Sequence, residues 1–278
     1  MGVLHLFISL AQGIAPGIAL LVTLVFTLFF ATPGAASAQN RAIAMPELRS
    51  GFDFLGADLK KMQQDDFANP GSLWVDRGEK LWRAVAGVDG KSCADCHGDA
   101  RESMKGVAVR YPQIDTGTGK LVSLETRILQ SRVERQKSPA FARESGDLLA
   151  LNAYITHQSR GIPIEANIEG AARKHFDAGE AFFLRRRGQL NLSCANCHDA
   201  NWGRTLFAER ISQGHPNAYP VYRLEWQTLG SLERRLRACL SGVRAEILPY
   251  GSTEYTDLSL YLAWRAKGLP VEAPGVRR

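Results

Sequence analysis

Hydrophobic and polar positions divide the chain into three stretches. Residues 1–38 contain no Asp, Glu, Lys or Arg, and residues 18–31 form an apolar core within them. That core has the length of a signal-peptide h-region, and Ala36-Ser37-Ala38 supplies a small-residue cleavage pattern before Gln39. Residues 1–38 are therefore expected to be a signal peptide, although His5 stands where Lys or Arg is usual. An uncleaved anchor is the alternative, because the uncharged stretch is long enough to span a bilayer. Residues 39–70 follow as a polar N-terminal extension containing Gln63, Gln64, Asp65, Asp66 and Asn69-Pro70, expected to lie along the next segment or a partner. From residue 71 onward apolar residues recur at helical spacing and no stretch alternates as a strand does, which predicts a mainly α fold.

The helical stretches come in pairs. At an offset of 101 residues Asp76 aligns with Asp177, Gly78 with Gly179, Glu79 with Glu180 and Ser92 with Ser193, while Trp82 stands against Phe183. Stretches 77–85 and 178–186 read as short helices. At offset 107 Tyr154 meets Tyr261, Gly161 meets Gly268, Pro163 meets Pro270 and Glu165 meets Glu272. Stretches 147–160 and 256–267 read as helices closed by Gly and then Pro. Between them, offset 108 aligns Leu124-Glu125 and Arg127 with Leu232-Glu233 and Arg235. Drifting offsets are what loops of unequal length produce inside a duplicated unit.

Composition narrows the chemistry. Of 278 residues, 45% are hydrophobic and 9% aromatic, which excludes bulk disorder. The 34 basic and 28 acidic residues all fall in 39–278, leaving a net charge of +6. The basic residues are spread along the chain and the protein is exported, so nucleic acid is not the expected partner. The clusters Arg185-Arg186-Arg187 and Arg234-Arg235 suit an anionic small molecule, haem propionates or an acidic protein, with a solvated basic face as the alternative. Four of the five cysteines form two copies of one motif, Cys93-Ala94-Asp95-Cys96-His97 and Cys194-Ala195-Asn196-Cys197-His198, and Cys239 stands alone.

C-x-x-C-H is the attachment signature of c-type haem. Two haem c groups are thus expected, bound covalently through Cys93 and Cys96 and through Cys194 and Cys197, with His97 and His198 as proximal iron ligands. Zinc would need four Cys or His ligands at each site. A redox dithiol makes no demand for His directly afterwards, twice. The fold expected is two tandem cytochrome c-type domains, 71–168 and 169–278. Ordinary electron-transfer cytochromes use Met as the distal ligand. The four methionines are Met1, Met45, Met62 and Met104, so the second unit has none. Its candidates are Cys239 and His215, with His175 and His157 more remote. Cys239 lies in a helix-like stretch, 229–240, and its counterpart in the first unit is Ser131, a poor ligand for iron. His157, on the terminal helix of the first unit, is the ligand expected for the first haem. Met104 follows His97 by only seven residues, too few to wrap round the other haem face.

From about residue 48 onward the chain resembles SoxA, the catalytic subunit of the SoxAX cytochrome of bacterial thiosulfate oxidation. The resemblance is carried by residues 65–71 (Asp-Asp-Phe-Ala-Asn-Pro-Gly), 158–161 (Gln-Ser-Arg-Gly), 188–194, 212–216 (Ser-Gln-Gly-His-Pro), 220–227 (Pro-Val-Tyr-Arg-Leu-Glu-Trp-Gln) and 243–246. It implies a periplasmic L-cysteine S-thiosulfotransferase. Such an enzyme joins thiosulfate oxidatively to a cysteine of the SoxYZ carrier, pairs with a SoxX cytochrome, and passes electrons to a small c-type cytochrome. It also implies that Cys239 is both reactive sulfur and distal ligand of the second haem, and that Arg235 is the arginine four residues before it. On a helix the two share a face, so the guanidinium can favour thiolate and an anionic substrate, with Arg244 as a second cation. Arg127 occupies the same place in the first unit with no cysteine beside it, so a structural role for Arg235 stays open. A thiosulfate dehydrogenase forming tetrathionate and a plain electron-transfer cytochrome are the rival readings.

Overall fold

The computed structural model describes residues 47–278, and the leader with its cleavage site lies outside them. The extension contributes α1 (Ala57–Gln64). The first unit runs α2 (Ser72–Arg83), α3 (Cys93–His97), α4 (Ala100–Ser103), a hairpin of β1 (Gln113–Ile114) and β2 (Leu121–Val122), α5 (Leu124–Glu134) and α6 (Gly146–His157). The second repeats it with α7 (Arg173–Leu184), α8 (Cys194–His198), an inserted hairpin of β3 (Thr205–Leu206) and β4 (Glu209–Arg210), then β5 (Val221–Arg223), β6 (Thr228–Gly230), α9 (Leu232–Gly242) and α10 (Thr253–Arg265). The last strand is β7 (Gly275–Arg277).

The duplication read from residues is a duplication of elements. α2 and α7 are the same length at offset 101, and α5 and α9 are the same length at offset 108. Each middle and terminal helix starts on a serine whose hydroxyl accepts an N–H of the first turn: Ser123, Ser145, Ser231 and Ser252. Such a cap contributes about 1 kcal/mol.

The core of each unit is a helix crossing, α2 on α6 and α7 on α10. Gly78 and Gly179 sit at the crossings. A Cβ on Gly78 would lie 2.1 Å from the Ala150 carbonyl oxygen, and one on Gly179 would lie 2.2 Å from that of Asp257. Tyr154 and Tyr261 pack at the same two crossings, which explains why the repeat keeps these pairs.

The sequence pattern missed the three-stranded sheet. β5 pairs antiparallel with β6 and parallel with β7, setting Arg223 beside Arg277. Val221, Tyr222 and Arg223 are all buried, so no alternation marks the strand. The ends of the two units are laced together by backbone hydrogen bonds, Ile164 N–H to the Leu269 carbonyl at 2.9 Å and Val271 N–H to that of Ile162 at 3.0 Å. The extension lies mainly along the second unit rather than the first. Gln63 accepts from the Val276 N–H and from Arg277, Asn69 donates to the Pro274 carbonyl, and Arg160 ties Asp66 to the first unit.

Candidate active site

The second motif is held by its own first turn. The Ser193 hydroxyl and the Asn196 side chain close a capping box around α8. His198 therefore leaves the helix at a fixed angle, and its Nδ1 lies 2.7 Å from the Ser212 carbonyl oxygen. The carbonyl accepts from Nδ1–H, which leaves Nε2 as the nitrogen turned toward α9. Gly214 abuts the same side of the ring, 3.0 Å from its Cγ when a Cβ is added. The Cys239 sulfur, carried by α9, hydrogen-bonds the His198 ring. The structure thus brings together three expected site residues that are far apart in sequence: His198, Cys239 and Arg235.

Their electrostatics agree. Burial pushes the Cys239 thiol up, but the hydrogen bond with His198 and the charges of Arg235, His198 and Arg223 together hold it below its ordinary value. The largest influence on Arg235 is the Cys239 sulfur, which raises it. An imidazole nitrogen facing a thiol whose ionised form is favoured is a pair of donors that would suit a haem iron. No two of the five cysteines are joined as a disulfide, so both C-x-x-C pairs remain fit for haem attachment.

The other candidates are placed elsewhere. His215 lies buried with Nε2 3.1 Å from Gln213 Oε1, and burial with the charges of Arg265 and His198 depresses it to about 3. His175 Nδ1 is 2.7 Å from Asp257. Arg244 reaches Gln189 rather than the sulfur. Sequence reasoning singled out neither Arg223 nor Tyr219, both of which act electrostatically on this pocket.

In the first unit Ser92 and Asp95 cap α3, and Trp82 donates its indole N–H to the Gly98 carbonyl at 3.0 Å with its ring 5.7 Å from that of His97. Cys93 and Met104 both pack against a buried cluster that includes Trp82, Ala100, Ile128 and Tyr154. His157 is the last residue of α6. Its imidazole is surrounded by Asp66, Arg160 and the Ala273 carbonyl, that is, by the extension, its own helix end and the C-terminal segment. Its counterpart Trp264 instead turns to the helix crossing of the second unit, where it meets Phe176 at 5.0 Å. Arg127, the counterpart of Arg235, is ion-paired with Asp115. That pairing separates the two arginines that the sequence alone leaves equivalent.

Two C-x-x-C-H helices on duplicated helical scaffolds define a cytochrome c, a haem c protein. The family model for the SoxA/TsdA cytochrome c domain matches residues 77–164 and 178–271. The L-cysteine S-thiosulfotransferase subunit SoxA of Pseudaminobacter salicylatoxidans is 38% identical over 230 residues, 82% of this chain and 80% of its own length. That of Paracoccus pantotrophus is 37% identical over 82% of this chain and 78% of its own. The crystal structure of SoxXA from P. pantotrophus has a chain that superposes with a TM-score of 0.81 at 36% identity, covering 83% of this chain and 87% of that one. The chain belongs to the SoxA family.

Proposed function

We propose that this protein is the SoxA subunit of an L-cysteine S-thiosulfotransferase, working in the periplasm with a SoxX-type cytochrome c subunit. Thiosulfate is joined to a cysteine thiol of a SoxYZ-type carrier. The balance is one S–S bond formed, the carrier thiol proton released and two electrons removed, which a small c-type cytochrome receives. Curated relatives that carry this activity in their names, and the SoxXA complex of P. pantotrophus, support the reading. Two haem c groups, attached at Cys93 and Cys96 and at Cys194 and Cys197, would supply one-electron redox chemistry. His97 and His198 would hold them proximally, and Cys239 would hold the second distally.

The observation that carries the proposal is the Cys239 sulfur brought beside both the His198 imidazole and the Arg235 guanidinium. In the relay the Cys239 thiolate forms an S–S bond with the thiosulfate sulfur as the two electrons leave, and the carrier thiolate then attacks that sulfur, breaking the bond to Cys239 and releasing it as thiolate. Arg235 neutralises and orients the thiosulfate dianion. Replacing Cys239 by Ala is expected to abolish carrier-dependent thiosulfate turnover, with an intact mass still showing both haems; full activity in that variant rejects the assignment. Formation of free tetrathionate in place of a carrier adduct would favour the dehydrogenase reading.

A further inference from the structure

The two units differ at matched places around the same arginine. In the first, Arg127 of α5 is ion-paired with Asp115, and Tyr111 hydrogen-bonds it as well. In the second, Arg235 holds the matching place on α9 and Tyr219 stands where Tyr111 does. The strand register fixes the correspondence. Gln113 opposes Val122 and Ile114 opposes Leu121 in one hairpin, and Val221 opposes Gly230 and Tyr222 opposes Leu229 in the other. The residue after Ile114 is Asp115, and the residue after Tyr222 is Arg223. A carboxylate in one unit is a guanidinium in the other.

The consequence is electrostatic. The first unit closes its guanidinium with an anion of its own. In the second, Arg223 is 4% exposed, bonded through Nε to Glu225 at 2.9 Å and through Nη2 to Glu209 at 3.3 Å, with its guanidinium 5.2 Å from the Trp226 ring. Arg223 thus draws two nearby carboxylates onto itself. None of the ion pairs among the described residues uses Arg235.

We propose that Arg223 is a specificity-determining residue: by holding the position that Asp115 holds in the first unit, it keeps Arg235 open to an anionic sulfur substrate beside Cys239. The inference rests on the reading of Cys239 and Arg235 as the thiosulfate site. Arg223 acts through Arg235 and is a positioning residue. A carboxylate at this position would pair with Arg235 and face a dianion with like charge.

Thiosulfate turnover by the assembled complex, with carrier and cytochrome acceptor, tests this in Arg223→Asp and Arg223→Lys. Arg223→Asp is expected to raise KM for thiosulfate more than roughly ten-fold, while KM for the carrier and the thiolate-type resonance of the second haem stay as in the wild type. Arg223→Lys is expected to stay within roughly three-fold of the wild type. A thiosulfate KM in Arg223→Asp within that same range, at full haem content, overturns the proposal alone. Absence of turnover in the wild type overturns it together with the reading of the site. If Arg223→Asp does not fold, the converse test applies in the first unit, with tetrathionate as probe. The thiol introduced by Ser131→Cys exchanges with it, forming a new S–S bond, expelling thiosulfate and releasing a proton. Adding Asp115→Asn is expected to speed that exchange roughly ten-fold by freeing Arg127; equal rates with and without it reject the proposal.

Discussion

Cys239 is an ordinary thiol in sequence and an unusual one in space. Its partners come from a helix turn below it, Arg235, and from a motif forty-one residues upstream, His198. Helical spacing made the first legible. The second needed the fold, because only the loop of residues 212–214 turns the His198 ring toward α9. Gly214 is central to that loop, with φ at +78° and room for no side chain against the ring. Gly214→Ala is expected to destabilise the protein by about 1–3 kcal/mol, through the left-handed backbone and the contact with the imidazole. It should also alter the spectrum of the second haem and not that of the first. Thermal melting with paramagnetic resonance of the holoprotein checks both parts, and an unchanged second-haem signal contradicts the contact. The surroundings of His157 are decided at this same scale. A histidine on the right helix carries no information about which side of the helix it leaves, and here it leaves toward the extension.

At the scale of elements, the repeat was readable because each shared residue answers a packing demand. Gly78 and Gly179 let two pairs of helices cross with backbone against backbone. Gly87 and Gly188 both take φ of +71° under the loops before the motifs, where a side chain would strike the carbonyl of Gln136 or Val243. Gly78→Ala and Gly179→Ala are each expected to cost about 3 kcal/mol or more, because the obstructing atom is backbone and cannot swing aside. Denaturant unfolding of each single variant would reveal it, and a loss under 1 kcal/mol would contradict the close crossing. The short strands were not readable. β5 and β7 lie far apart in sequence and pair through three residues each, too few to leave a period and too buried to alternate.

At the scale of the molecule, the two units share an internal polar region. A cavity of about 140 Å³ is lined from both sides, by Glu125 and Asn152 of the first unit and by Glu233, Asn217 and Tyr219 of the second. Glu125 and Glu233 are counterparts in the repeat, so duplication has brought two carboxyls toward each other. Burial, followed by the charges of Glu233 and Glu144, pushes Glu125 to about 8, against the opposing pull of Arg143 and Asn152. A carboxyl raised in the folded state stabilises the fold fully below its ordinary value of 4.5, and that contribution is lost as pH rises through about 8. Glu125→Gln keeps the neutral form at every pH. Its melting temperature is expected to fall less than that of the wild type between about pH 4.5 and 8, and parallel profiles would show that Glu125 is charged in the fold.

The sequence by itself determined the duplication, the mainly helical class, both C-x-x-C-H motifs and the identity of the odd cysteine, because these are set by local spacing and by residue chemistry. It also placed Arg235 on the Cys239 face of a helix. Only the tertiary structure decided that Arg127 is closed by Asp115 while Arg235 faces a sulfur, that His157 looks away from the first motif, and that the extension belongs to the second unit's edge. Each of those depends on contacts between residues distant in sequence, where a single change of charge or of side-chain direction leaves the local pattern intact and changes what the position can do.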